Sequence, residues 1–248
     1  MGAVYVMWLR QIKKYWRSKP RMIGSLGQPI LFLVALGFGF GAIYQKAGGG
    51  NYLQFLAPGI IVMSILFTAM FTGIEVIWDR QFGFLKETLV APVPRLQIMI
   101  GRTLGGATVS MIQGIIVGII SLLIGFKITN WYAIPLALVF MFLVAMAFTA
   151  FGTAIASRMQ DMTAFPLIIN FLIMPIFFLS GALFPLEGLP SGINLVVKLN
   201  PLSYGVDGVR AALTGVSQMG IALDFGVIVV TTALLSVLGS WLFSKIEI

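Results

Sequence analysis

Side chains able to do acid–base, nucleophilic or metal chemistry are few in this chain of 248 residues. It has no cysteine and no histidine, which excludes thiolate and imidazole metal ligands, thiol redox chemistry and a Ser-His-Asp triad. The eight acids are scattered among loops and the ends of apolar runs: Glu75, Asp79, Glu87, Asp161, Glu187, Asp207, Asp224 and Glu247. An intramembrane hydrolase would need such groups in a cluster. The sequence therefore predicts that this chain is not an enzyme and binds no cofactor or metal itself.

Glycine patterns do not indicate a nucleotide site either. A Walker loop needs Gly-x-x-x-x-Gly-Lys followed by Ser or Thr, and no such string occurs. The glycines at 37, 39 and 41 lie inside an apolar run, where they favour close helix contact or a bend. Gly101-x-x-x-Gly105 and Gly114-x-x-x-Gly118 predict close helix packing in the same way.

The elements that position these residues must lie in a membrane. The chain is 59% hydrophobic and only 10% charged, and a soluble protein of this length could not bury so much apolar surface. A helix needs roughly 20 apolar residues to cross the hydrocarbon. Six runs qualify, and they are continuously apolar rather than alternating as in a barrel: 22–44, 56–78, 96–124, 131–157, 163–184 and 224–243. The sequence predicts an all-α integral membrane protein of one domain, 1–248.

The lysines and arginines predict the orientation. Twelve of the sixteen fall on one side of the predicted topology, and Lys46, Lys127, Lys198 and Arg210 fall on the other. Because basic residues accumulate in cytoplasmic loops, both termini are expected in the cytoplasm. The net charge of +8 therefore reports orientation and headgroup contact, and predicts no nucleic-acid partner.

Three segments interrupt the apolar pattern, and the first is 4–19. Its aromatic residues, including Trp8 and Trp16, fall near one helical face, while Arg10, Lys13 and Arg17 can reach headgroups. This predicts an amphipathic helix along the membrane surface. Such a helix is either an orientation anchor or a connecting helix that transmits the motion of a cytoplasmic partner.

The second segment is the loop DRQFGFLKETLVAPVPR, residues 79–95. Phe82, Leu85 and Leu89 can share one face of a short helix, which Pro92 and Pro94 must end. Such a helix either lies in the interface or fills a groove of another protein. Just before it, Glu75 lies near the end of the second run and is interpreted as an interfacial charge rather than a proton carrier.

The third segment, 183–220, contains prolines and polar residues between apolar stretches too short to cross a membrane. A re-entrant hairpin in the outer leaflet fits this pattern, and an extracellular loop with two surface helices is the alternative. The predicted spans also lack the buried ionisable relays of ion-driven pumps. A six-span chain without energy-coupling groups would take its energy from a separate ATPase, whereas a stand-alone channel or scaffold would need none.

Two of these segments resemble known sequences. The loop DRQFGFLKETLVAPVPRLQIMIGR resembles the cytoplasmic segment of ABC-2 type transporter permeases, although Gln81 and Phe84 stand where Glu and Thr are common. The stretch FFLSGALFPLEGLPSGINLVVKLNPLSYGVDGVRAAL is similar to their C-terminal signature, with Asn-Pro-Leu-Ser-Tyr and Asp-x-x-Arg. The strings most resemble the daunorubicin-resistance and nodulation-export branch. The resemblance covers nearly the whole chain.

This resemblance implies roles for the three segments. Residues 80–91 would form the coupling helix seated in the ATPase, through Arg80, Phe82, Phe84, Leu85, Lys86, Glu87 and Leu89. The connecting helix beside it would present Trp8, Arg10, Lys13, Trp16 and Arg17. Re-entrant helices over 185–214 would cap the exit with Pro185, Pro190, Asn200, Pro201, Tyr204, Asp207 and Arg210.

The resemblance also implies an assembly and a cargo. Two permease copies, expected to be a homodimer in the plasma or inner membrane, would join two ATPase subunits that bind ATP and Mg. The cargo would be an amphiphilic drug, lipid, glycolipid or polysaccharide, exported along a lateral path between spans one and five. Candidate lining residues of that path are Gly37, Gly39, Phe165, Phe171, Phe177 and Phe178.

Overall fold

The computed structural model describes residues 2–46, 50–84, 93–186 and 190–246, and only the backbone of Ala42. Within these ranges the chain is helical and contains no strand, so the all-α prediction is confirmed. Leu85, Lys86, Glu87 and Leu89 of the predicted coupling helix lie outside the described residues.

The described helices run in chain order from α1 to α11. They are α1 (Ala3–Arg17), α2 (Lys19–Gly39), α3 (Gly41–Lys46), α4 (Tyr52–Thr72), α5 (Ile74–Gln81), α6 (Arg95–Ile124), α7 (Ile134–Arg158, preceded by the 3-10 turn Trp131–Ala133), α8 (Ala164–Phe178), α9 (Ser191–Leu199), α10 (Pro201–Thr214) and α11 (Ile221–Ser244).

Five helical segments are long and apolar enough to cross a membrane: Lys19–Gly39, Tyr52–Gln81, Arg95–Ile124, Trp131–Arg158 and Ile221–Ser244. They coincide with five of the six predicted apolar runs. The fifth predicted span, 163–184, is the exception, because α8 has 15 residues and ends at Phe178, shortly after Pro175. Its crossing of the membrane stays a prediction.

The second span lies at the centre of the bundle, and its α4 packs against α2, α6, α7, α8 and α10. Two glycines allow the second span to approach α7 closely. A Cβ built on Gly73, between α4 and α5, would overlap the Gly152 carbonyl of α7, and one on Gly152 would lie 2.6 Å from the Met70 carbonyl oxygen. Outward-facing apolar side chains such as Leu234 and Val237 of α11 are exposed on the chain itself, as expected of helices solvated by lipid.

Hydrogen bonds between segments distant in sequence define two ends of the bundle. At one end, called here the α1 end, the Arg80 guanidinium donates to the Ser157 and Met159 carbonyls after α7. There the Arg95 guanidinium also donates to the Ser244 and Ile246 carbonyls after α11. At the other, called the hairpin end, the Tyr52 hydroxyl donates to the Leu183 carbonyl and the Thr129 amide donates to the Leu213 carbonyl.

Candidate functional sites at the two ends of the bundle

The predicted amphipathic helix α1 is seated on α6 through glycines. A Cβ built on Gly101 would lie 2.7 Å from the Met7 Cβ, and one on Gly105 would lie 2.6 Å from the Gln11 Cβ. The small residues of Gly101-x-x-x-Gly105 therefore let the α1 backbone approach α6. This confirms the prediction of close helix packing at this motif, and α1 is the partner. Gly114 lies nine residues after Gly105 on α6 and packs closely against the Ile65 side chain of α4.

Two aromatic side chains fix α1 on this surface. The Trp8 indole Nε1 donates to the Thr108 hydroxyl at 3.0 Å, and the buried Tyr15 hydroxyl donates to the Gln113 side-chain oxygen. Burial raises the pKa of the Tyr15 phenol, which keeps its proton available for this bond. Trp16, Lys13 and Arg17 are exposed on the other side of the helix. Of the five residues predicted for the connecting helix, Trp8 and Arg10 therefore contact the bundle, and the other three are exposed.

Buried ion pairs join α1 to the second and third spans. The Asp79 carboxylate, 4% exposed, accepts from Arg10 Nη2 at 2.9 Å and from Arg102 Nη1 at 2.7 Å. Arg102 is 2% exposed, and the Asp79 carboxylate that it shares with Arg10 is its only ion-pair partner among the described residues. One acid therefore holds two cations from two different helices.

A second acid repeats this arrangement one turn away. The Glu75 carboxylate, 5% exposed, lies 3.3 Å from Lys14 Nζ and 2.8 Å from Arg21 Nη1. Glu75 is thus buried between two cations, and its interpretation as an interfacial charge rather than a proton carrier stays a prediction. Sequence reasoning did not find its partners, although the spacing carried a signal. Arg10 and Lys14 are four residues apart, as are Glu75 and Asp79, so two helices running past each other can match both pairs.

The predicted coupling segment begins beside this ionic cluster. Phe82 follows the last residue of α5 and is 71% exposed, and the ring of Phe84, half exposed, lies 5.6 Å from the Arg10 guanidinium carbon. Arg80 differs from its predicted neighbours because its guanidinium turns into the bundle to cap α7. Gly83 follows with a φ of +82°, a conformation that suits glycine, so the chain turns between Gln81 and Phe84.

At the hairpin end, the Asn-Pro-Leu-Ser-Tyr motif joins three helices. Asn200 caps α10 by accepting from the Leu202 amide at 3.0 Å, and its side-chain amide donates to the Ile176 carbonyl of α8 at 2.6 Å. Pro201 occupies the first turn of α10, where no backbone N–H is needed. The Tyr204 hydroxyl donates to the Lys198 carbonyl of α9 at 2.8 Å. The predicted residues here position two short helices.

The Asp-x-x-Arg motif is not an ion pair. Buried Arg210 donates from Nη2 to the Gly181 carbonyl at 2.8 Å, and its guanidinium carbon lies 4.0 Å from the ring centroid of Phe55. Asp207 instead accepts from the Gln218 and Met219 amides, each at 2.8 Å, and so closes the turn after α10. Each charge thus holds a different neighbouring segment.

Several other predicted residues are placed by these segments. Pro190 is the N-cap of α9, and Pro185 is half-buried in the link after α8. Helix α10 is buried among α4, α7 and α11, while α9 exposes Leu195 and Leu199. Sequence analysis did not single out Asp224, which is fully buried on the first turn of α11 and lies beside Asp207.

The six residues predicted to line a lateral path do not share one surface. Phe165 and Phe177 are fully buried, and a Cβ on Gly37 would lie 3.1 Å from Leu53 Cδ1, so these three pack within the bundle. Phe165 and Phe177 belong to the core of this chain and Gly37 is partly exposed, while their lining of a path between two copies stays a prediction. Phe171 and Phe178 are exposed, and Gly39 faces open space.

Known proteins are similar to this chain in sequence. Residues 2–214 match the family model described as ABC-2 type transporter. Nodulation protein J of Rhizobium leguminosarum bv. viciae is 28% identical over 209 residues, covering 84% of this chain and 80% of that protein.

Two further relatives are named transport permeases. The inner membrane transport permease YadH of Escherichia coli is 29% identical over 237 residues, which cover 92% of this chain and 89% of YadH. The putative transport permease ycf38 of Cyanophora paradoxa is 29% identical over 214 residues, covering 84% and 72% of the two chains. The family model spans most of the described bundle, from α1 through α10, and the chain therefore belongs to the ABC-2 type transporter family of membrane transport permeases.

Proposed function

We propose that this chain is the membrane subunit of an ATP-driven exporter and that its α1 end faces the cytoplasm. Two copies of the chain would join two ABC ATPase subunits, which bind ATP and Mg. The observation that carries the proposal is the ionic cluster at the α1 end, where Glu75 and Asp79 bind cations of α1, α2 and α6 directly beside exposed Phe82.

This cluster suits the transmission of a force. A partner that moves the segment after Phe82 would pull on α5, whose Glu75 and Asp79 are tied to three other helices. Because separating buried charges is costly, α1, α2, α5 and α6 would move together rather than slide apart. Phe82 supplies the apolar contact by which a short segment can dock in a groove. Lys13, Trp16 and Arg17, exposed on α1, would face headgroups or the same partner.

The orientation, location and cargo follow from the relatives and from the charge distribution. The basic residues concentrated at the α1 end favour the cytoplasmic side of the membrane. YadH is named an inner membrane permease, which supports an inner or plasma membrane location. The resemblance to the daunorubicin-resistance and nodulation-export branch favours export of an amphiphilic drug, lipid, glycolipid or polysaccharide. The α9–α10 hairpin would lie re-entrant in the outer leaflet, at the exit.

The path itself would lie between two copies of the chain. Gly39, Phe171 and Phe178 are open on the surface of α2 and α8, where a second copy could complete an apolar wall. Phe165 and Phe177 would support this wall from within the bundle.

The ATPase contact is tested by replacing Phe82 with Asp. Co-expression of the full chain with its ATPase should give wild-type co-purification for Tyr132→Asp, a control that adds the same charge at a fully exposed position far along the chain. Phe82→Asp should reduce co-purification at least about tenfold, since a charge in an apolar docking contact is desolvated without a partner. Unchanged association, or cargo flux through the reconstituted chain alone without ATP, would overturn the proposal in favour of a stand-alone channel.

A further inference from the structure

A groove with a volume of about 460 Å³, open along one side, lies within this single chain between α1 and α2 on one side and α4, α5 and α6 on the other. Its walls are mostly apolar and aromatic, with Pro29, Met63, Phe67 and Phe71 along its length. Arg21 and Trp78 lie at its α1 end, and Ser64 lies deeper in the bundle. A concave, apolar site with a few polar groups is the usual form of a small-molecule site, and this volume lies in the usual range.

Two polar groups of the groove lack partners in the described chain. Ser64 is 2% exposed, and its hydroxyl makes no hydrogen bond. Serines in helices usually donate to a carbonyl one turn back, as Ser110 and Ser121 do here. The indole Nε1 of Trp78 is likewise buried without an acceptor. Because an unmet buried polar group costs free energy, both groups indicate a ligand with hydrogen-bonding atoms at two separate depths.

The α1 end of the groove has an excess of positive charge. Glu75 is the carboxylate there, and both Lys14 and Arg21 lie against it. Two cations on one acid leave a local charge of about +1, which favours a negatively charged group at this end. The far end offers apolar side chains and the Ser64 hydroxyl.

We propose that this groove binds one single-chain anionic amphiphile. The acid head lies at Arg21 and accepts from the Trp78 indole, and the chain runs along Phe67 and Phe71 toward Met63. A hydroxyl or carbonyl partway along that chain bonds to Ser64. Ser64 and Trp78 are 14 residues apart on nearly continuous helix, roughly 20 Å at 1.5 Å per residue, so a long acyl chain is required to reach both. Binding at this site does not depend on the ATPase.

Three probes of equal chain length test the chemistry on the purified full chain in neutral detergent. Stearate offers the anionic head alone, 12-hydroxystearate adds a mid-chain hydroxyl, and stearylamine reverses the charge. Equilibrium binding of the radiolabelled probes should rank 12-hydroxystearate first, stearate second and stearylamine at least about tenfold weaker. Equal binding of stearylamine, or retention of only two-chain phosphatidylglycerol in native mass spectrometry, would overturn the proposal.

Matched variants test whether the amphiphile binds in this groove. A leucine at position 24 would fill the groove, and a Cβ on Gly24 meets nothing within 4 Å, so Gly24→Leu should leave the fold intact and abolish binding. Gly27→Leu is the control, since Gly27 is equally open and does not line the groove. Full binding by Gly24→Leu, or equal loss in Gly27→Leu, would contradict the assignment.

The two polar contacts have separate variants. Arg21→Gln should weaken stearate binding about tenfold, while Lys19→Gln, which removes the same charge two residues away, should leave it unchanged. Ser64→Ala should remove the preference for 12-hydroxystearate and leave stearate binding as it was. A preference that persists in Ser64→Ala would show that the mid-chain hydroxyl binds elsewhere and would overturn that contact.

Discussion

The two ends of the bundle hold buried charge in different ways. At the α1 end, Glu75 and Asp79 each bind two cations from other helices. At the hairpin end, Arg210 and Asp207 are also buried, yet their hydrogen bonds are to backbone groups and a serine hydroxyl, and Arg210 lies against an aromatic ring. No ion pair joins them within the described residues.

This difference indicates that the α1 end couples several helices, whereas the hairpin end fixes the geometry of two short helices. Ion pairs between helices distant in sequence bind four elements into one body at the α1 end, and their strength depends on charge. Hydrogen bonds to backbone groups at the hairpin end depend on the shape of two short helices and their turns. Charge removal should therefore be most damaging where one carboxylate serves two cations, and geometry should matter most around Arg210 and Asn200.

The largest effect is expected for Asp79→Ala at the α1 end. It leaves Arg102 buried without a counter-charge, which should lower the free energy of unfolding by about 3–5 kcal/mol. The midpoint of thermal unfolding in detergent measures this change. Asp161→Ala is the control, because Asp161 lies in an exposed loop where hydrogen bonds from Thr163 lower the pKa of its carboxyl.

The same site tests whether the loss comes from the unpaired charge. Arg102→Met in the Asp79→Ala background removes the stranded cation, so the double variant should be more stable than Asp79→Ala alone. A double variant that is less stable would show that Arg102 contributes through packing rather than through its ion pair.

Arg210→Lys tests the hairpin end, where the charge is kept and the shape is lost. The flat arginine guanidinium donates to the Gly181 carbonyl and stacks on Phe55 at the same time. A lysine ammonium is not flat and cannot do both, so a cost of about 2 kcal/mol is expected. Arg158→Lys, at the exposed end of α7, should leave the unfolding midpoint unchanged. Equal stability of Arg210→Lys and wild type would mean that this end, too, requires only the charge.

Asn200→Ala should cost about 2 kcal/mol, close to the cost of Arg210→Lys, and a second asparagine calibrates this value. Asn51 caps α4 by accepting from the Leu53 amide, and Asn200 caps α10 in the same way while also donating to the Ile176 carbonyl. Loss of a cap costs about 1 kcal/mol, and the additional bond adds about 1 kcal/mol. Urea or thermal unfolding should therefore rank Asn200→Ala below Asn51→Ala in stability. The reverse order would remove Asn200 as the link between α8 and α10.

Sequence periodicity predicted most of the helices but few of the contacts between them. Long apolar runs located five spans because lipid requires such runs, and Gly101-x-x-x-Gly105 indicated a close contact without showing that α1 makes it. The Asp-x-x-Arg spacing did not reveal that its two charges bind different neighbours. Apolar character alone also could not separate Phe165, which is core, from Phe171, which is exposed, because lipid and protein interior favour the same residue types.

The smallest effect is expected at the rim of the ionic cluster, for Lys14→Gln. The Lys14 side chain is 35% exposed and lies 3.3 Å from Glu75, which Arg21 also binds, so the loss should be below about 1 kcal/mol. Because salt screens exposed pairs, the difference from wild type should shrink between 0.05 and 0.5 M salt, roughly a threefold shorter screening length. Exposed Lys13 provides the control variant Lys13→Gln. Arg210 donates to a backbone carbonyl and lies against an aromatic ring, and it is buried away from salt, so Arg210→Lys should show the same loss at both salt concentrations. A salt-dependent loss at Arg210, or a salt-independent one at Lys14, would remove the distinction between an end held by ion pairs and an end held by backbone geometry.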